Sequence, residues 1–400
     1  MRQGAQPAQP AQKAPGAAPA AAPAPGPNPA GAAALPPTHP PLPAGAGTGT
    51  AAVDTPWGRM RFVQFEIGSR NVKSIYAERG VVWIGTSGGV IRYDTASDSH
   101  RIFDNKLPGI LSNGVFYVGR VGRWIAAGTY GGGLSLYDEQ ADRWRNVNIP
   151  QGLADQFVYG MLTARNGDVW IATWSGVNRV RGGRFFDPQA WDTFTVESTG
   201  GGLPNPWVYA LAEGPDGSLW FGTEDGLARY RDGRWRHWKH EDGLGAPFEA
   251  VKGAIEFTSD PGRASRHHAH QKETQGLEGV NVAYNPNYII SMAVDRRGVV
   301  WCGTWGAGLA RFDGWRWRNL TTRDGLPSNH IFMLHLDPQG RLWVGTSRGL
   351  ALYRGEGRGF QILTTAQGLY ADNVFSMAEA PDGSVWVGSF GGVTRYYPAP

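Results

Sequence analysis

Short apolar runs separated by turn residues recur along the chain from Trp57 to Tyr397. The most regular run is Trp-x-Gly-Thr, which is followed by a glycine turn and a second run of the form apolar-x-Arg-aromatic. Seven copies occur, and the steps between their third positions are 43, 44, 50, 81, 42 and 43 residues. Strand-length runs at a period in the low forties are typical of propeller blades. The third positions of the seven copies are Gly85, Gly128, Ala172, Gly222, Gly303, Gly345 and Gly388.

Each repeat is predicted to supply four strands, A to D. Strand A is apolar, and it leads through an Asn-Gly, Asp-Gly or Gln-Gly hairpin turn into strand B, the Trp-x-Gly-Thr run. Strand C ends in Arg-Tyr or Arg-Phe, and strand D carries an aromatic residue. We expect the strand-B glycine to lie where a neighbouring sheet comes close. We expect bonds between blades from the strand-C arginines, which are Arg92, Arg179, Arg229, Arg311 and Arg395.

The two ends of the chain are predicted to share one blade. The last repeat lacks strand D, whereas the segment Met60–Phe65 before the first repeat is patterned like the other D strands. Its pairing with the last repeat would close a ring and leave no open sheet edge. The sequence therefore predicts an all-β, seven-bladed β-propeller of four-stranded antiparallel blades. Eight blades remain an alternative if the 81-residue step hides a degenerate blade, but residues 245–287 lack the motif and favour an insertion between blades 4 and 5.

Composition narrows the classes of partner. The 400 residues include 58 Gly and 17 Trp, only 18% are charged, and the net charge is +4. The arginines recur at the blade period instead of forming a basic stripe, so no nucleic-acid partner is expected. No apolar run is long enough to cross a bilayer.

Residues 1–55, rich in Ala and Pro, predict a disordered tether ahead of a propeller at 56–400. The single cysteine, Cys302, occupies an apolar strand-B position and is expected to be a buried, inert thiol.

The connections from strand D to the next strand A are also patterned. They read Asp-Gly-Leu-Pro-Ser-Asn at 324–329, Gly-Leu-Tyr-Ala-Asp-Asn at 368–373 and Gly-Leu-Pro-Asn at 202–205. Together with strands B and C, this phrase resembles the two-component regulator propeller repeat over about residues 57–400. The resemblance implies a bacterial sensor portion outside the cytoplasm, usually a sevenfold propeller ahead of a membrane helix and a kinase.

The sequence departs from that family pattern in having no membrane helix, kinase, receiver or DNA-binding segment. We therefore expect this propeller to act through a partner or to serve another use. A periplasmic or extracellular location is expected, with the tether leading to an export signal or membrane anchor upstream of this start.

Candidate ligand-binding residues follow from the geometry of a blade, because B–C turns and D–A connections emerge at the same end of it. Four of the seven residues after Gly-Thr are aromatic, and at the channel mouth they could stack on sugar rings or other flat ligands. They could equally cover the turn of the adjacent blade. His330, at the entry to the sixth repeat, falls on the same face. The four aromatic residues are Tyr130, Trp174, Trp305 and Phe390.

The insertion carries a histidine cluster, His267, His268 and His270. Imidazoles of this kind could hold a divalent transition metal, but surface histidines without metal are common and the spacing is not that of a strict ligand set. No other cofactor is expected. Because long connections in compact domains are often functional, the insertion is predicted to form a lid or docking arm over the channel.

These features favour a non-enzymatic, extracytoplasmic propeller that senses a ligand or docks a protein. Its partner would be a small molecule or carbohydrate, or a signalling or envelope protein. Two alternatives stay open, a metal-dependent lyase or hydrolase using the His-rich insertion, and a passive envelope scaffold. The sequence contains no serine nucleophile elbow, phosphate loop or haem-attachment motif.

Overall fold

The structure, a computed structural model, describes residues 52–106 and 109–399. Their strands form an all-β propeller of antiparallel sheets, five of them four-stranded and one of seven strands. Repeats 2 to 6 each supply one four-stranded sheet, with strands A to D in sequence order. Sheets 2 to 6 are β6–β9 (Val115–Val121, Trp124–Thr129, Leu134–Asp138, Arg143–Val147), β10–β13 (Val158–Thr163, Val169–Thr173, Gly176–Val180, Trp191–Phe194), β14–β17 (Val208–Glu213, Leu219–Thr223, Gly226–Arg231, Arg234–Trp238), β18–β21 (Asn285–Val294, Val300–Trp305, Leu309–Phe312, Trp317–Leu320) and β22–β25 (Ile331–Leu336, Leu342–Thr346, Gly349–Tyr353, Phe360–Leu363).

Sheet 1 joins the first and last repeats. In β2 (Gly58–Glu78), residues Met60–Glu66 pair with Gly392–Pro398 of β27 (Val385–Pro398), while Val72–Glu78 pair with β3 (Val81–Thr86). The predicted pairing of the N-terminal strand with the last repeat is therefore present. The strands of sheet 1 are β1 (Val53–Thr55), β2 (Gly58–Glu78), β3 (Val81–Thr86), β4 (Gly89–Asp94), β5 (Ser99–Phe103), β26 (Val374–Glu379) and β27 (Val385–Pro398).

The predicted tether, 1–55, lies outside the described residues except for its last few positions. There β1 pairs with β2, Val53 opposite Met60. Next to this pair, Trp57 stacks on Trp343 at 4.5 Å and holds the segment against repeat 6. Among the described residues, no helix combines the length and apolar character needed to span a membrane.

The strand-B glycines lie against strand A of the following repeat, as predicted. A Cβ on Gly85 would come within 2.9 Å of Val115, and one on Gly303 within 2.5 Å of Ile331. Gly388 of the last repeat faces Val72 of the first, so the same contact joins the two ends of the chain. Real Cβ atoms do not approach side chains this closely, which is why glycine is needed at these positions.

The prediction that strand-C arginines bond between blades is wrong. Strand C pairs with strand B of its own repeat, so Trp170 lies directly opposite Arg179. The Arg179 guanidinium stacks over that indole and lies 2.7 Å from Asp168 in the A–B turn of the same repeat. Arg229 with Asp216 and Arg395 with Asp382 repeat the arrangement at 2.8 and 2.9 Å. These three arginines stabilise the A–B hairpin of their own repeat.

The segment between β17 and β18 is helical and contains no strand. It packs a small core of its own, Val251, Val280 and Tyr284, onto Ala307 of repeat 5. Its helices are α1 (Phe248–Val251), α2 (Pro261–Ala264) and α3 (Arg266–Thr274). Single 3-10 turns occur at Ile149–Gln151, Arg181–Gly183, Pro188–Ala190, His240–Asp242, Lys252–Ala254, Thr322–Asp324 and Thr365–Gln367.

Candidate functional site at the channel mouth

A β-bulge interrupts strand A in every repeat. In repeat 3, for example, Val158 pairs with Thr173 and Gly160 with Ala172, which leaves Tyr159 without a partner between them. A bulge re-aims the side chain of its extra residue. The seven bulge residues form what we call the channel belt: Lys73, Phe116, Tyr159, Tyr209, Ile290, Phe332 and Phe375.

Ring contacts run along most of this belt. Phe116 contacts Tyr159 at 4.6 Å, and Tyr159 contacts Tyr209 at 4.7 Å. Phe332 contacts Phe375 at 5.0 Å, and the ammonium of Lys73 lies 4.4 Å from the centre of the Phe375 ring. The belt residues therefore surround one common space. A cavity of about 200 Å³ adjoins the belt and is lined mainly by apolar strand-A side chains of repeats 3 to 6.

Above the belt, four rings stack across repeats 3 and 4 and onto the insertion. Trp174 lies between Phe157 at 4.3 Å and Trp207 at 4.6 Å, and both pairs are stacked. Trp207 in turn stacks on His267 of α3 at 3.8 Å. Tyr130 contacts Phe157, the ring at the end of this stack, edge to face at 4.6 Å. Two of the predicted ligand-binding residues, Tyr130 and Trp174, thus belong to one aromatic wall.

The insertion covers the other side of the mouth. Phe257 stacks on Trp305 at 5.6 Å and meets the edge of His330 at 4.6 Å. Glu256 accepts a hydrogen bond from the Ser347 hydroxyl at 2.6 Å and lies 3.0 Å from Arg348. His330 is fully buried, with Nε2 3.0 Å from the Ala283 carbonyl, and burial lowers its pKa. Trp305 and His330 are therefore held beneath the insertion, away from the open mouth.

Helix α3 is held by a buried carboxylate. Glu224 takes the turn position that is aromatic in four other repeats, and it has no exposed surface. His268 Nε2 lies 3.0 Å and His267 Nε2 3.5 Å from its oxygens, and Tyr209 donates a hydrogen bond at 3.2 Å. Burial alone would raise the pKa of Glu224, but hydrogen bonding to the two imidazoles keeps it below its ordinary value.

The three histidines of the predicted metal set do not converge. His270 is exposed on α3 and lies 3.6 Å from Glu273, whereas His267 and His268 turn toward Glu224. In the described part of the chain, no three His, Cys, Asp or Glu side chains are grouped so as to hold a metal ion. Cys302 is buried as predicted, and burial raises the pKa of its thiol.

Among the described residues, the insertion does not reach the part of the mouth formed by repeats 7, 1 and 2. The contacts of the insertion described above fall on repeats 4, 5 and 6, while Phe390 of repeat 7 is 44% exposed and Tyr130 of repeat 2 is 39% exposed. Between them lies the turn of repeat 1 at Ser87, with Lys73 in the belt of the same repeat. We call this surface, around Phe390, Ser87, Lys73 and Tyr130, the open sector.

Several residues of the mouth were missed by sequence reasoning. Phe157 and Trp207 immediately precede strand A, and the belt residues lie two positions after them. A signal was present, because the following residue is Val or Ile in all seven repeats, whereas the residue before that Val or Ile changes from repeat to repeat. These variable positions are Asn71, Gly114, Phe157, Trp207, Tyr288, His330 and Asn373.

Loosening the insertion should expose it to proteases. We expect the double substitution Glu256→Gln and Phe257→Ala to weaken its attachment by about 2 kcal/mol, which raises the population of the open form roughly thirtyfold. Limited proteolysis followed by mass spectrometry should then show faster cleavage within 255–275, with the propeller intact. Glu249→Gln, which removes an exposed pair with Lys252 in the same insertion, is the matched control. Equal cleavage rates in the two variants would contradict this attachment.

Comparisons with known proteins agree with the repeat motif. Residues 152–175, 202–225, 283–306 and 325–348 match the family model described as two component regulator propeller. These segments are two-component regulator propeller repeats, which confirms the resemblance predicted from the sequence. A comparison with curated proteins finds no match.

Solved structures share the fold. An extracellular domain from B. thetaiotaomicron, described as that of the hybrid two component system BT3049, matches with a TM-score of 0.62 and 19% identity over 82% of this chain. The chain spans only 39% of that domain's length. Virginiamycin B lyase from Staphylococcus aureus matches at 0.56 and 10% identity, over 85% of this chain and all of the lyase. YCF48, solved with a D1 peptide, matches at 0.55 and 12% identity, over 87% of this chain and 98% of its own.

Proposed function

We propose that this chain is a non-enzymatic, ligand-sensing propeller of the two-component regulator type that binds a small molecule or carbohydrate at the open sector. One observation carries the proposal: Tyr130 and Phe390 keep large exposed aromatic surfaces beside a channel that the insertion closes only over repeats 4 to 6. Exposed aromatic side chains around a concave, mainly apolar site are typical of ligand recognition. The stacked rings of Phe157, Trp174 and Trp207 would give such a ligand a flat aromatic surface on one side.

Seven blades are part of this proposal. Sheet 1 counts as two blades if β2 and β27 are each divided at their turns. The first half of β2 pairs with the end of β27, whereas the second half of β2 pairs with β3. The contact of Gly388 with Val72 is of the same kind as the contacts between the other successive repeats. These observations support a closed ring in which the insertion follows the fourth blade.

We place the proposed activity in the periplasm or outside the cell. The support is the repeat family together with the similar fold of extracellular domains. Docking of a signalling or envelope protein is the second candidate, and the observation that favours it is the insertion, which presents α2 and α3 on the same face as the mouth. A passive scaffold would need neither the exposed aromatic residues nor the open channel.

A metal-dependent lyase or hydrolase is the competing proposal. It draws on His267 and His268 near Glu224, with His270 pointing elsewhere. The likeness to virginiamycin B lyase concerns the fold alone. For the sensing function we propose no cofactor.

A thermal-shift screen of the full chain tests the proposal. A ligand at ~100 times its Kd should stabilise the fold by about 2.7 kcal/mol. We expect this shift to disappear in the double variant Tyr130→Ala and Phe390→Ala, whose own Tm stays close to the parent because both rings are exposed. Trp315→Ala removes an even more exposed ring, 92% accessible, far from the mouth, and should keep the shift. A shift that survives in the double variant would refute the open sector as the site.

A further inference from the structure

Lys73 is the exception in the channel belt. The other six belt residues are Phe, Tyr or Ile, and an apolar side chain would fill the position of Lys73 without a desolvation cost. Within the described residues, its ammonium has no hydrogen-bond acceptor and no carboxylate partner, and its contact is the face of Phe375. The Lys73 side chain is half-buried. An ammonium that lies among aromatic rings without a carboxylate partner is unfavourable for stability, so its presence points to a role in binding.

The charges around the mouth leave Lys73 available. Glu224, the carboxylate turned toward the belt at repeat 4, is already bonded by Tyr209 and flanked by His267 and His268. Glu256 already accepts a hydrogen bond from Ser347 and forms an ion pair with Arg348. Because these acidic side chains have other partners, neither of them neutralises the Lys73 ammonium, which can meet an anion that enters the channel.

The surroundings of Lys73 restrict the shape of that anion. Phe375 and Phe332 lie on one side of it along the belt, and the exposed rings of Phe390 and Tyr130 flank its repeat at the mouth. Aromatic faces and edges favour a flat apolar body. The single ammonium of Lys73 matches a single negative charge better than the double charge of a phosphate monoester.

We propose that Lys73 is the anion-binding residue of the channel, and that the open sector takes a small organic carboxylate with a flat aromatic body. The carboxylate pairs with the Lys73 ammonium, and the body stacks on the aromatic residues of the belt and mouth. This inference rests on the proposed ligand-sensing function and names the ligand class for that same site.

The pairing predicts a pH dependence. Burial in the channel lowers the pKa of Lys73 to about 8. The free protein therefore holds a charged ammonium below about pH 8 and a neutral amine above it. Carboxylate affinity should be constant on the acidic side and should fall roughly tenfold per pH unit on the alkaline side, once Lys73 must take up a proton to bind.

The test uses 2-naphthoate as the probe and 2-naphthamide as its neutral isostere, with titration calorimetry on the full chain at pH 7. We expect naphthoate to bind at least tenfold more tightly than the amide. The preference should vanish in Lys73→Met, persist in Lys73→Arg, and be unchanged in Lys252→Met, which removes an exposed lysine of the insertion. Circular dichroism and Tm establish that each variant is folded.

The outcomes separate this inference from the function it rests on. If both probes bind equally and Tyr130→Ala weakens both, the mouth binds flat ligands but the anion-binding role of Lys73 is overturned. A naphthoate preference that survives in Lys73→Met overturns it as well, and so does failure of naphthoate to bind. As an independent measurement, acylation of Lys73 across pH should show a midpoint near 8 and protection by naphthoate. Absence of that protection counts against the assignment.

Discussion

A chain that starts at Gly68 is expected to lose its cooperative unfolding transition. The truncation removes the first half of β2, so Gly392–Pro398 of β27 lose their partner strand. It also removes Trp57, Met60 and Phe62, which pack in one cluster with Tyr396 and Trp343. At ~1.5–3 kcal/mol for each large apolar side chain, the loss is about 5–9 kcal/mol, comparable with the whole stability of a typical domain.

Urea denaturation followed by tryptophan fluorescence measures this effect. A chain that starts at Ala52 is the control, and its midpoint should match that of the full chain because β1 and β2 are retained. A sharp transition at the same midpoint in the chain from Gly68 would mean that the last repeat is stable without the N-terminal strand.

Replacing Gly388 with Val should produce the second large effect. A Cβ at this position would collide with Val72 of the first repeat on one side and with Ser376 of its own repeat on the other. Overpacking of this kind typically costs 1–3 kcal/mol, and obstruction on both sides places the expected cost at about 3 kcal/mol or more. For a domain of this size the corresponding fall in Tm is roughly 5 °C.

Differential scanning calorimetry of Gly388→Val beside Gly253→Val gives the comparison. Gly253 lies in the insertion, where a Cβ would meet no atom within 4 Å, and its backbone accepts valine because its φ is not left-handed. The control should therefore melt close to the parent chain. If the two variants melt at the same temperature, the first and last repeats are packed less closely than the structure indicates.

The repeated framework could be predicted from the sequence because each of its features has a local cause that recurs. Glycine at strand B marks the close approach of the next repeat, and the threonine after it is fixed by a hydrogen bond within the turn, as between Thr86 and the Gly89 carbonyl at 2.9 Å. The pairing of Met60–Phe65 with the last repeat was also predictable, because a missing strand D at one end and an extra strand at the other are visible in the repeat pattern itself.

The candidate site was only partly predictable. Tyr130 and Phe390 were identified from the sequence and are exposed. The channel belt was missed because a bulge leaves no signal in composition, and because the belt positions carry residue types as different as lysine and tyrosine. The pairing of Glu224 with His267 and His268 depends on how α3 folds back across more than forty residues, which spacing alone cannot encode. The strand-C arginines were misassigned because their strict repetition fits a bond within a blade as well as one between blades.

The insertion makes the two sides of the channel mouth different, because in the described part of the chain it contacts only repeats 4 to 6. Seven similar repeats around an axis would offer a ligand equivalent orientations, each with nearly the same contacts. Because Glu256, Phe257 and α3 occupy the side of repeats 4 to 6, those orientations are no longer equivalent. A ligand of the proposed kind would therefore bind in one preferred orientation, with one end toward repeat 1, although the repeats themselves are similar.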